Sequence, residues 1–144
     1  MALKPAKNPR GSARRRSREL ALQALYAWKM AGGEPRAYAR TLEGWDRCDQ
    51  AFADELVREV VARCDGLEAA IAPHLDRGLA SVSPVERAIL LIGAWELAEQ
   101  PGTPFRVVLN EAIELGKSFG GTDGHKFVNG VLEKLARELR AEEV

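Results

Sequence analysis

Residues 83–97, SPVERAILLIGAWEL, decide the fold. Ser83 supplies an N-cap hydroxyl, Pro84 a pre-set φ at the first helical position, and Glu86 an acid three residues after the cap. Together they make a complete capping box. Behind the box, Ile89, Leu90, Leu91, Ile92, Trp95 and Leu97 point in nearly every direction around a helix. A helix that is apolar all round must be covered on all sides, so this one, Val85 to about Ala98, belongs at the centre of a bundle. Glu86 and Arg87 then emerge at its rim, and capping alone could account for Glu86.

Further helices follow on the C-terminal side. Thr103-Pro104 opens a second helix in the same way, with Val108, Ala112, Leu115 and Phe119 inward, Glu111, Glu114 and Lys117 outward, and Gly120-Gly121 as its stop. Thr122 or Asp123 caps a last helix whose core stripe is Val128, Val131, Leu132, Leu135 and Leu139. Phe127 lies in that helix's first turn, about 100° off the stripe. It is either packed under a neighbouring helix or free to stack on an unpaired base beside Lys126 and the open amide donors.

On the N-terminal side, Ser12 caps a helix that runs to about Ala31, where Gly32-Gly33 end it. Leu20, Ala21, Ala24, Leu25 and Trp28 form its core face. Leu22 and Tyr26 fall on the side of Arg15, Glu19 and Lys29, as ordinary exposed residues or as a protein-contacting surface. A short helix follows Pro35 and ends near Gly44. Another spans about Cys48 to Cys64, and Leu67, Ile71 and Leu75 mark one more before a polar connection from Asp76 to Val82. The expected fold class is all-α: a compact bundle of six to seven short helices, in one body or two helical subdomains, over residues 12–144. Residues 1–11, with Pro5, Pro9 and Gly11, read as a flexible basic arm.

The 144 residues are 46% hydrophobic and 29% charged, a globular composition with no formal net charge. The charge is unevenly placed. Seven of the 21 basic residues and none of the 21 acidic ones lie in positions 1–18, so the remainder carries 14 basic against 21 acidic side chains. An acidic body with a basic end can bind a polyanion only through a localised face. The densest part is Arg14-Arg15-Arg16-Ser17-Arg18. Cations in the first turn of a helix oppose its dipole and repel one another, which points to an anionic partner, nucleic acid first, unless the cluster is a solvated tail.

Other chemistries lack residues. Two histidines, His74 and His125, and two cysteines, Cys48 and Cys64, form no metal-ligand or redox spacing, and no nucleophile or phosphate-loop motif occurs. Asp123 and His125 are better read as a helix start than as an acid–base pair. No catalytic residue, metal or cofactor is expected. No apolar run reaches the ~18 residues of a membrane span and no secretory leader is visible, so the expected location is cytoplasmic. No later helix carries the exposed Arg, Asn or Gln face that reads duplex DNA.

Three stretches, ARRRSRELALQALYAW at 13–28, VERAILLIGAWEL at 85–97, and VVLNEAIELGKSF with DGHKFVNGVLEKL from Val107 onward, resemble the NusB family of transcription antitermination factors. The resemblance is strong at both ends and in the middle helix, and only a pattern over residues 32–80. It implies an all-helical, non-catalytic scaffold that binds boxA, a single-stranded element of ribosomal RNA transcripts, together with the small-subunit ribosomal protein NusE. It further implies assembly, through these, with RNA polymerase and other Nus factors. Matched motif by motif, RNA contact falls on Arg14, Arg15, Arg16, Arg18, Lys126 and Phe127, with Asp123 at the edge. NusE contact falls on Tyr26 and Glu86, which would also explain an exposed Leu22. The basic start of the first helix and the Phe127 ring are then expected to share one surface. Two rivals are a related helical module that brings RNA to an attached ribosomal RNA methyltransferase, and a purely protein-binding adaptor.

Overall fold

The computed structural model describes Leu3 and residues 12–144; apart from Leu3, the arm expected over residues 1–11 lies outside the described residues. Among the described residues there are seven α-helices and no strand: α1 (Ala13–Ala31), α2 (Pro35–Arg40), α3 (Gln50–Ala62), α4 (Cys64–Ile71), α5 (Pro84–Glu99), α6 (Phe105–Phe119) and α7 (Gly124–Leu139). One continuous apolar cluster takes side chains from all seven. As its sequence requires, α5 is the hub: Ala88 through Leu97 are all buried.

Helix starts follow local chemistry. Ser12 accepts from Arg15 N at 3.1 Å and Ser83 from Glu86 N at 3.2 Å. The third helix begins two residues later than expected, because Asp49 is the N-cap and accepts from Phe52 N at 3.1 Å. Two caps differ from expectation. Thr103-Pro104 does precede α6, but the acceptor for Phe105 N is Glu143 Oε1 at 3.2 Å, brought from the far end of the chain. Asp123 precedes α7 without capping it; its carboxylate meets Lys126 Nζ at 3.3 Å instead.

The C-terminal end of α5 is closed by Arg140, which sequence reasoning passed over. Its buried guanidinium donates to the carbonyls of Leu97 at 2.8 Å, Gln100 at 2.9 Å, Thr103 at 3.0 Å and Glu96 at 3.2 Å. A cation there satisfies orphan carbonyls and complements the helix dipole. Leu139, expected in the core, is 41% exposed, and Ala136 takes the buried position at the end of the stripe.

Close approach of α6 and α7 depends on Gly116: a Cβ there would lie 2.7 Å from His125 Cα. The C-terminal end of α6 is thereby locked to the first turn of α7. Gly124 lies beside the start of α5, where a Cβ on it would meet the movable end of the Glu86 side chain, Oε2, at 2.9 Å. The start of α5, the end of α6 and the start of α7 therefore converge on one corner of the bundle.

Candidate nucleic-acid interface

Three of the four arginines in the α1 cluster, Arg14, Arg15 and Arg18, are paired with carboxylates of the protein itself. Arg18, expected to contact RNA, is 4% exposed. Its Nε and Nη2 reach the two carboxylate oxygens of Glu96 at 2.8 Å each, and Nη1 lies 3.5 Å from Glu111. The residue is a strut between α1, α5 and α6, because a buried carboxylate in the apolar face of α5 needs a buried cation. Arg15 shares Glu111 through two hydrogen bonds of 3.1 and 2.9 Å, and the Glu111 hydrogen bond raises its pKa above the ordinary arginine value. Glu111, expected to point outward, thus faces α1. Arg14 pairs with Asp49 at 3.3 Å and lies 4.3 Å from the Phe52 ring centroid. The stem of Arg16 rests against Gly44, whose φ of +99° suits glycine.

Leu22 also departs from expectation. It is fully buried, at 0% exposure, within the core cluster. The broad apolar face of α1 packs against α3, α5 and α6 at once, so a residue well off the sequence-derived stripe still finds a covered site. Tyr26, one turn on, is half-buried. Beyond it Lys29 and Arg87 share Glu68, at 3.3 and 2.8 Å, which ties the end of α1 to the start of α5. Tyr26 and Glu86 accordingly lie toward the same end of the bundle.

At that end the first turn of α7 forms a cleft. His74, Asp76, Lys126, Phe127, Gly130, Val131 and Lys134 line it. Phe127 is half-buried, and the Arg77 guanidinium lies 4.7 Å from its ring centroid. The two readings of Phe127 thus merge: its ring packs against the core and still borders the cleft. Lys126 keeps 72% of its side chain exposed, and its partner Asp123 keeps 73%. Arg77 donates to Asp76 at 3.0 Å, a hydrogen bond that lowers the Asp76 pKa below the usual carboxylate value. His74 Nε2 lies 2.9 Å from Glu138. Arg77 and Lys134 were not singled out from sequence, and His74 was considered only as a metal or redox residue and set aside; the available signal was the one arginine of the polar 76–82 connection.

The two halves of the expected surface are anchored near opposite ends of α5. Arg18 meets Glu96 in the last turns of α5, whereas Gly124 meets Glu86 in its first turn, about 15 Å away at 1.5 Å per residue. His125 faces α6, and Phe127, two positions later, is roughly 200° further round α7. The ring therefore points away from α6, the helix that holds Arg15.

Elsewhere the described residues hold no group of histidines, cysteines and acids that could bind a metal. Burial, the largest influence on each thiol, pushes Cys48 and Cys64 above the usual thiol pKa, against nucleophilic or redox use. Among the described residues, no helix is long and apolar enough to cross a membrane.

This is an all-helical protein built on a buried hub helix, with a cationic, aromatic-edged cleft at one corner. The family model for NusB matches residues 15–137, and the chain belongs to the NusB family. Over 135 residues it is 52% identical to the transcription antitermination protein NusB of Paraburkholderia phytofirmans, covering 92% of this chain and 94% of that one. The corresponding protein of Ralstonia pickettii is 49% identical over 142 residues, covering 96% and 92%. Among solved structures, NusB of T. maritima superposes with a TM-score of 0.78 at 27% identity, covering 92% of this chain and 94% of that one. A NusB solved with NusE and double-stranded RNA superposes at 0.76 and 24% identity, covering 86% and 96%, a likeness of fold.

Proposed function

We propose that this chain is a transcription antitermination factor that binds boxA RNA together with NusE and helps to build the antitermination complex on RNA polymerase. It acts as a non-catalytic scaffold in the cytoplasm. The observation that carries this reading is half-identity, across more than nine-tenths of the chain, to proteins named for that activity. The cleft supplies the chemistry. Phe127 offers a stacking edge, Lys126 and Lys134 offer phosphate contacts, and an unpaired strand presents bases and phosphates together. Asp123 borders this site, and Tyr26 with Glu86 contributes to the NusE side. Arg14, Arg15 and Arg16, about one helix length away, act through the long-range field and by contact with the strand's extension. Arg18 and Leu22, being buried, take no part in either contact.

The test is fluorescence anisotropy of labelled boxA RNA and a scrambled control across a salt series, with and without NusE. Affinity should fall steeply with salt and rise with NusE. Phe127→Ala should weaken boxA binding at least several-fold with the helical circular dichroism signal intact. Equal binding of both RNAs, or unchanged affinity in that variant, would reject the RNA site.

A further inference from the structure

Gly130 lies inside α7, one turn beyond Phe127, and apart from its chain neighbours and the helix's own backbone no atom comes within 4 Å of where a Cβ would stand. Glycine inside a helix costs stability relative to alanine or leucine. Gly93 and Gly116 have a packing reason for that cost, in Leu132 and His125 respectively, while Gly66, in the first turn of α4, has none. Gly130 has none either. What it does is leave the wall of the cleft bare beside the Phe127 ring.

Arg77 does not line the cleft itself but lies beside it, against the Phe127 ring. Its guanidinium lies over the Phe127 ring, yet the side chain is 46% exposed and its ion-pair partner is the neighbouring Asp76, itself 75% exposed. A planar cation held by one adjacent acid and one ring moves at little cost, since exposed pairs of this kind contribute little. At 4.7 Å from the ring centroid it stands where a stacked base would stand.

We propose that Arg77 is the second stacking platform of the RNA site, and that an unpaired base enters through the cleft that Gly130 leaves open and lodges between the Arg77 guanidinium and the Phe127 ring. This rests on the RNA reading above. Guanidinium planes stack on nucleobases as aromatic rings do. In the free protein the guanidinium covers the ring and shields it from water. On binding it swings out by the thickness of one base and closes on that base's far face, while Lys126 and Lys134 meet the flanking phosphates.

The test uses the full chain and boxA RNA, with 2-aminopurine replacing single purines in turn. Arg77→Ala should weaken binding at least about fivefold, as expected for loss of one stacking partner. Arg77→Lys should keep the wild-type salt dependence but recover little of that affinity, because it restores the charge and not the plane. Gly130→Leu should weaken binding to a similar degree while leaving the melting temperature unchanged or raised. Quenching of one 2-aminopurine position by the wild type should be lost in all three. Wild-type affinity in either Arg77→Lys or Gly130→Leu overturns the sandwich. Phe127→Ala separates the two ideas: if it too binds normally, the RNA site itself is wrong, and if it alone binds poorly, only the role of Arg77 and Gly130 falls.

Discussion

The two ends of α5 hold cations in opposite ways. At its last turns, Arg15 and Arg18 meet buried or half-buried carboxylates from α5 and α6, and Arg18 has a side chain only 5% exposed. At its first turn, Lys126 and Arg77 pair only with exposed acids three or fewer residues away. The denser cluster in the sequence is thus the more heavily spent on holding the protein together. Availability to a partner depends on the competing carboxylates nearby, which a count of arginines does not register.

Arg18→Ala breaks this comparison or upholds it most sharply. Removing one member of a buried pair leaves Glu96 charged and unpartnered, a loss of about 3–5 kcal/mol. Urea unfolding should show it as a lowered midpoint with the same slope. Lys126→Ala should move the same midpoint by no more than about 0.5 kcal/mol. Equal stabilities for the two variants would mean that Arg18 is no strut.

The sequence was most legible where local rules acted alone. The Ser83 capping box and the all-round apolarity of α5 sufficed to place the hub, and the stop at Gly32-Gly33 is met by glycines at φ of +76° and +91°. It was least legible where a partner came from far along the chain. Glu143 caps α6 from 38 residues away, and Glu96 meets Arg18 across 78. A lone acid at Glu96 in an otherwise apolar stretch was a sign of a buried cation, but nothing local identified which one. At the site, Lys126 and Phe127 were legible from their helix-start setting. Arg77 was not, because its approach to the ring depends on how the 72–82 connection runs along α7.

The α7 end has an internal bridge at Glu68, and it gives a smaller effect. Burial, the largest influence on Glu68, works to raise its pKa. The Arg87 hydrogen bond and the charges of Lys29 and Arg87 outweigh it, so the folded-state value lies below the ordinary one of 4.5. A depressed carboxylate stabilises the fold above its unfolded pKa, and that contribution is lost as pH falls through the folded value. Glu68→Gln should therefore cost about 1–2 kcal/mol at neutral pH, the scale of a charge-assisted hydrogen bond. The gap to wild type should close progressively below about pH 4.5. A difference independent of pH from 7 to 3 would show that packing, and not charge, makes the Glu68 contribution.

The finest distinction between the two ends lies in RNA binding. If Lys126 is available to a phosphate and Arg14 is held by Asp49 and Phe52, the two alanine variants should differ in salt dependence, though each removes one positive charge. Releasing one counterion fewer lowers the slope of log affinity against log salt by roughly 0.7 for a single strand. Lys126→Ala should show that full decrement. Arg14→Ala should show a fraction of it, because its removal also unmasks Asp49, whose carboxylate still caps α3 and would repel the strand at longer range. Asp49→Asn supplies the complementary reading, since the amide oxygen can go on capping Phe52 N while the competing charge is gone. Tighter RNA binding in Asp49→Asn, with Arg14→Ala nearly silent on the slope, is the outcome expected when internal carboxylates set how much of an arginine cluster a polyanion can reach. Equal slope changes for Arg14→Ala and Lys126→Ala would place both ends on the same footing and remove the contrast.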